Sequence, residues 1–287
     1  MASFAITTDN NSDLPLAYFK EHDVGLISLT YTIEGNTYDA FHPMDSHVFY
    51  EKMRAGAMPT TAQVNPEQVG KVLRERLKER DGVLHFAFSS GLSGSYQSSM
   101  LAVAELREEF PDKQIIVMDS LSASLGQGLL VHYAVKMRDA GYSLEDIAAW
   151  CEENKLHIAH LFTVDDLFHL YRGGRVSRTK AFIGSALNMK PILHVDNEGR
   201  LIPIGKVRGR KHALDELVRR MGEQIADDYD GIVFISHGDC EQDAQYVKEQ
   251  VQSKFGIQEC LIDFVGPTIG AHSGPGTLAL FFFANMR

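Results

Sequence analysis

The sequence predicts an α/β protein of two domains. Residues 1–155 form an N-terminal domain on a parallel, Rossmann-like sheet, and residues 156–287 form a C-terminal α+β domain with a mixed or antiparallel sheet. Three observations lead there. Short apolar runs alternate with helical patterns through the first half, the signature of right-handed crossovers and a parallel sheet. From about Lys155 the runs lie closer together, and turn sequences such as Asp196-Asn197-Glu198-Gly199 join them, as in hairpins. A chain of 287 residues with 44% hydrophobic and 23% charged residues can bury a large core divided between two modest domains.

The elements follow in order. Phe4 to Thr8 reads as a strand, and Asp9 to Asp13 as a polar turn feeding a helix at Leu14-Pro15, since proline in a first turn sacrifices no hydrogen bond. Val24 to Ile33 is rich in β-branched residues, with Glu34-Gly35-Asn36 as a hairpin turn. Asp45-Ser46 caps a helix running to about Arg54, and Asn65-Pro66-Glu67 starts another with Val69, Val72, Leu73 and Leu77 at helical spacing. Val83 to Phe88 is a buried strand that runs through Ser89-Ser90-Gly91-Leu92-Ser93-Gly94-Ser95 into a helix. Met100, Val103, Leu106 and Phe110 are expected on the inner face of that helix. A strand at Gln114 to Met118 precedes a small-residue segment, Ser122 to Gly128, and two helices, the second opening at Ser143 with Asp146 placed for a capping box. In the second half, Pro191 to Val195 and Leu201 to Ile204 form a hairpin. Gly231 to Ser236, Glu259 to Val265 and Thr277 to Ala284 add strands, with helices at about 210–226 and 241–254.

Composition excludes several classes. Lys and Arg number 28 against 38 Asp and Glu, a net charge of −10, whereas nucleic-acid binders hold phosphates with Lys and Arg. The longest late apolar stretch, Leu278 to Ala284, is far short of the ~20 residues of a spanning helix. Met1-Ala2-Ser3-Phe4 lacks the basic and apolar regions of a secretory signal. Cys151, Cys240 and Cys260 are scattered, which suits small buried side chains in a reducing cytoplasm. The 12 histidines show no H-E-x-x-H and no tight cluster, so no metal is expected.

Four segments carry candidate chemistry. The Ser89 to Ser95 turn lies between a strand and a helix start, where backbone N–H groups and the helix dipole favour an anion. Ser90, Ser93 or Ser95 adds a hydroxyl. Neither phosphate-loop spacing nor the full G-x-S-x-G of a nucleophile elbow is present, and a plain N-cap with a turn is the other reading. Pro59-Thr60-Thr61-Ala62-Gln63 is a polar insertion between helices, facing the same strand ends or capping a helix. Gly266 to Gly276 packs glycines and prolines around His272 as a loop of fixed shape. His272 is there a donor to an anion, a general base or a structural histidine. Arg172-Gly173-Gly174-Arg175 ends a helix and brings two guanidinium groups, good partners for a carboxylate or phosphate. A cleft between two domains is a preferred place for a ligand.

Together, Thr8 to Pro15, Pro59 to Gln63, Ser89 to Ser95, Arg172 to Arg175, Lys190-Pro191-Ile192-Leu193 and Ile269 to Gly276 resemble, in order, the DegV family of bacterial fatty-acid-binding proteins. Members of that family serve as the lipid-binding subunit of fatty acid kinase. The resemblance spans essentially the whole chain. It implies an acyl chain in a tunnel between the domains, its carboxylate held by Thr61 and Ser93 with Gly94 beside them. His272 and Arg172 or Arg175 belong to the same polar network. Phe182, Ile183 and Leu187, in the apolar helix after Arg175, are tunnel candidates. Asn10 and Ala62 stand where serine is usual in the family.

The resemblance therefore implies a cytoplasmic, non-catalytic subunit that binds a long-chain fatty acid, needs no cofactor or metal, and presents the carboxylate to an ATP-dependent kinase partner for acyl phosphate formation. Burial of about fifteen methylenes at roughly 0.8 kcal/mol each supplies about 12 kcal/mol gross, against about 1.5–3 kcal/mol for one hydrogen bond to a charged group. Affinity comes from the tunnel and orientation from the head group. The basic run Lys206 to Lys211 is too short for nucleic acid, and Arg208, Arg210 and Lys211 are candidates for docking an acidic partner. The alternative is a serine esterase or acyl transferase with Ser93 as nucleophile, His272 as base and Asp9 as orienting carboxylate. A regulatory DNA-binding role is disfavoured by charge.

Overall fold

The computed structural model describes residues 3–165, 167–177, 188–227 and 229–287. The first half runs β1 (Phe4–Asp9), a 3₁₀ turn (Asn10–Ser12), α1 (Leu16–Glu21), β2 (Val24–Ile27), β3 (Thr30–Ile33), β4 (Asn36–Tyr38) and α2 (Ser46–Arg54). It continues through β5 (Thr60–Ala62), α3 (Pro66–Glu79), β6 (Gly82–Ala87), α4 (Ser95–Glu109), β7 (Gln114–Asp119), α5 (Leu125–Asp139) and α6 (Leu144–Asn154). The second half holds β8 (Ile158–Thr163), α7 (Phe168–Arg172), β9 (Met189–Val195), β10 (Leu201–Arg208) and α8 (Arg210–Gln224). Then come β11 (Ile232–His237), α9 (Glu241–Phe255), β12 (Glu259–Phe264), α10 (Pro267–Ser273) and β13 (Leu278–Phe283).

The expected architecture is present. A parallel sheet has the order β2-β1-β6-β7, and a mixed six-stranded sheet has the order β10-β9-β8-β13-β11-β12. In the mixed sheet only β11 and β12 run parallel; the other neighbours are antiparallel. Helix caps are where the residue types require them. Asp45 accepts from the Val48 N–H, Asn65 and Gln68 form a reciprocal capping box, and Ser143 accepts from the Asp146 N–H.

Helix α5 joins the two sheets. Every residue from Leu125 to Val135 is buried, with the polar Gln127 and His132 among them hydrogen-bonded to Thr8 and Tyr18, so the helix is enclosed on all sides. One core cluster unites Leu125, Leu129 and Leu130 with Ile6 and Phe86 of the parallel sheet and with Phe162, Phe234 and Phe281 of the mixed sheet. The halves thus share a core, which explains why no linker sequence separates them.

Four expectations need correction. Residues 158–163, given no strand from the sequence, form β8, a central strand between β9 and β13. His160 interrupts its apolar run yet is buried, sharing a hydrogen bond with the Ile158 carbonyl at 2.9 Å. The Pro59–Gln63 insertion is a strand, β5, paired antiparallel with β3 (Tyr31 opposite Thr61) in a third, small sheet. The Gly266–Gly276 loop contains α10, started by Pro267 and stopped at Gly274, whose φ is 84°. Gly270 is required within it, since a Cβ there would lie 2.4 Å from the Tyr50 hydroxyl. Finally, Met100 of α4 points outward, 39% exposed, and the buried face carries Ser95, Ser98, Ser99, Ala102, Val103 and Leu106.

Candidate functional site

A cavity of about 660 Å³ lies between the halves, within the roughly 300–1,000 Å³ of small-molecule sites. Leu29, Phe88 and Leu92 line it from the first half, and Phe162, Leu170, Val195 and Phe281 from the second. Most of the wall is apolar because residues of one parity on β8 and β13 face α5 and the parallel sheet: Phe162 sits opposite Ala279 and His160 opposite Phe281.

The structure brings Thr61, Ser93, Gly94, Arg175 and His272 to the wall of this one cavity. Thr61 Oγ1 and His272 Nε2 share a 2.7 Å hydrogen bond across 211 residues of sequence. Strand β5 presents Thr61 and the end of α10 presents His272. Gly173 backs the imidazole so closely that a Cβ there would lie 2.3 Å from His272 Nδ1. Ser93 follows β6; its Oγ accepts from the Ser95 N–H at 3.2 Å and bonds Ser95 Oγ at 2.9 Å. Of the four serines of that turn, only Ser93 lines the cavity. Ser90 and the buried Ser95 belong to the turn and helix start, while Ser89 Oγ donates across to the Gly199 carbonyl at 2.9 Å.

The two arginines differ. Arg175 faces the cavity. Arg172 does not line it, and donates instead to the carbonyls of Pro59 at 3.2 Å and Ala271 at 3.0 Å. It thereby ties the segment before Thr61 to the residue before His272, a positioning role. Asn10 clamps Leu29 with both amide atoms, accepting from its N–H at 2.8 Å and donating to its carbonyl at 3.3 Å. Ala62 lines the cavity without offering a hydroxyl.

Other candidates lie elsewhere. Arg210 is committed to Asp243 at 2.7 Å and to Cys240, whereas Lys206, Arg208 and Lys211 of the basic run are exposed, Lys211 lying 5.6 Å from the Tyr246 ring centre. Phe182, Ile183 and Leu187 lie outside the described residues. The esterase geometry does not form: His272 Nε2 engages Thr61, and Ser93 engages Ser95. Asp9 is buried and accepts from the N–H groups of Asn11 and Phe88 and from Gln127, with its carboxyl pushed up to about 7 by burial. Among the described residues, no group of three His, Cys, Asp or Glu side chains is placed to hold a metal, and no helix is long and apolar enough to cross a membrane. Sequence reasoning passed over His160, a neutral polar group in the cavity floor. Its alternation with Ile158 and Phe162 was the available signal.

Burial, reinforced by Arg175 and Arg172, lowers the His272 pKa from 6.5 to about 4. In the folded protein the ring stays neutral at pH values where an unfolded histidine is already protonated. Its contribution to stability is therefore present above pH 6.5 and lost as pH falls through about 4. Acidification from about pH 7.5 to about pH 5 is expected to lower the melting temperature more in wild type than in His272→Gln. Thermal denaturation at both pH values checks this, and parallel slopes contradict it.

A mostly apolar cavity set between a parallel and a mixed sheet, with hydrogen-bonding residues on its wall, defines an α/β protein with a candidate small-molecule site. The model of the DegV family, described as uncharacterised proteins, matches residues 3–285, and the chain belongs to that family. A DegV domain-containing protein of Clostridium perfringens is 42% identical over 291 residues, covering 100% of this chain and 99% of its own. Two solved structures are similar over 99% of this chain and 100% of theirs. They are a DegV family protein of Thermus thermophilus, studied for fatty acid binding (32% identity, TM-score 0.89), and DegV of Bacillus subtilis, a fatty acid binding protein (30%, 0.84).

Proposed function

We propose that this protein binds a long-chain fatty acid in the cavity between its two domains, 1–155 and 156–287, and presents the carboxylate to an ATP-dependent fatty acid kinase subunit in the cytoplasm, without itself catalysing the transfer. The observation that carries this reading is that Thr61, Ser93, Arg175 and His272 all line one cavity whose wall is mostly apolar. The fatty acid binding of the Thermus thermophilus and Bacillus subtilis relatives supports it.

These polar groups suit a carboxylate. His272 Nδ1 is buried without a hydrogen-bond partner, a place for a lone pair rather than an N–H. The ring proton then sits on Nε2 and is donated to Thr61 Oγ1, which frees the Thr61 hydroxyl proton for a carboxylate oxygen. Ser93 Oγ and the Gly94 backbone at the start of α4 receive the other oxygen, and Arg175 supplies the balancing charge. Neither a cofactor nor a metal enters this scheme.

The test is a thermal-shift titration of delipidated protein with stearate or oleate; the melting temperature is expected to rise with ligand concentration, and an unchanged melting temperature contradicts the reading. For presentation to a kinase, the doubly reversed variant Arg208→Glu/Lys211→Glu should lower acyl phosphate formation while leaving fatty acid binding intact. Loss of neither, or of both together, removes these residues from the docking surface.

A further inference from the structure

The cavity wall carries polar groups that a plain alkyl tail would leave stranded. Asn11, in the 3₁₀ turn after β1, is 1% exposed and lines the cavity, and its Nδ2 has no hydrogen-bond partner. Ser273, on α10, is 6% exposed and lines the same cavity, and its Oγ is also without a partner. Helix α10 packs against that 3₁₀ turn. Ser12 Oγ, in the same turn, is also without a partner but does not line the cavity, and the neighbouring serines that do line it are paired. Ser124 and Ser236 bond each other at 2.9 Å, and Ser124 donates to Asp13 at 2.5 Å. A buried polar group left unpaired is costly, so the two orphans mark where a ligand is expected to bring an oxygen of its own.

Resting on the fatty-acid reading above, we propose that the preferred ligand is a long-chain fatty acid bearing a hydroxyl group on its chain, and that Asn11 and Ser273 recognise that hydroxyl. A hydroxyl both donates and accepts, so it pairs with the amide in either orientation of its oxygen and nitrogen, and with a serine Oγ. A site built to bond a hydroxyl rejects the analogue lacking it, because its own polar groups are then left unpaired.

Isothermal titration of delipidated full-length protein with stearate and with a set of hydroxystearates, the hydroxyl at different carbons, tests this. At least one isomer should bind about tenfold more tightly than stearate. Asn11→Leu and Ser273→Ala should each shrink that preference without weakening stearate, since the group a plain tail strands is gone. Should Asn11→Leu fail to fold, Ser273→Ala carries the test alone. The proposal is overturned if no isomer exceeds stearate, or if the preference survives the substitutions. It is equally overturned if the variants weaken stearate in the same proportion, which would place both residues at the carboxylate. Failure of wild type to bind either acid brings down the fatty-acid reading itself.

Discussion

Thr61→Val is expected to weaken stearate binding by about tenfold to a hundredfold, the loss of one hydrogen bond to a charged group. Valine keeps the shape of threonine and lacks only the hydroxyl. It also strips His272 Nε2 of its 2.7 Å partner, so the melting temperature of the unliganded protein should fall as well. Ser93→Ala should act on the same carboxylate. The double variant should lose less than the sum of the singles, since groups sharing one ligand atom set are coupled. Isothermal titration of the four proteins checks this. An unchanged Kd in Thr61→Val contradicts the assignment of the head-group site.

Gly173→Ala should be comparably damaging by a different route. A methyl group there would lie 2.3 Å from His272 Nδ1 and 3.3 Å from the His169 carbonyl. The imidazole must then move away from Thr61, or the turn after α7 must shift. Overpacking of this kind costs about 1–3 kcal/mol, and fatty acid affinity should fall with it. Gly174→Ala is the control. Its φ is 74° and nothing lies within 4 Å, so it carries roughly 1–2 kcal/mol of left-handed backbone strain with no displacement of His272. Loss of affinity in Gly173→Ala but not Gly174→Ala separates crowding of the site from general destabilisation. Equal losses contradict the role given to Gly173.

Much of the fold was legible because its signals are local. The capping box of Asn65 and Gln68, the cap at Ser143 and the alternation of apolar strands with helices need only neighbouring residues to be read. What escaped depends on distant partners. Strand β8 has a histidine at its centre, and only packing beneath α5 makes that residue neutral and buried. Strand β5 is three residues long and exists because β3 is beside it; its own composition reads as a polar insertion. The α10 segment is rich in glycine for reasons of clearance: Gly270 admits Tyr50.

The candidate site divides in the same way. Thr61, Ser93 and His272 were candidates through the family resemblance of the segments around them, which by residue type alone read equally as caps and turns. The distinction between Arg172 and Arg175 was not, because it turns on which guanidinium meets the carbonyls of Pro59 and Ala271. Nor was it legible that Arg210, a docking candidate from the basic run, pairs with Asp243, 33 residues away. Asn11 and Ser273 carry no motif at all; their interest lies in burial without partners, a property of the folded state alone.

The central claim is that an acyl chain lies between the two sheets with its carboxylate pinned at Thr61 and Ser93. A crystal structure of the stearate complex tests it most directly. The account predicts one carboxylate oxygen within hydrogen-bond distance of Thr61 Oγ1, the other at Ser93 and the Gly94 N–H, and the alkyl chain running past Phe162 and Phe281. Stearate bound outside this cavity, or inside it with its carboxylate away from Thr61 and Ser93, would contradict it.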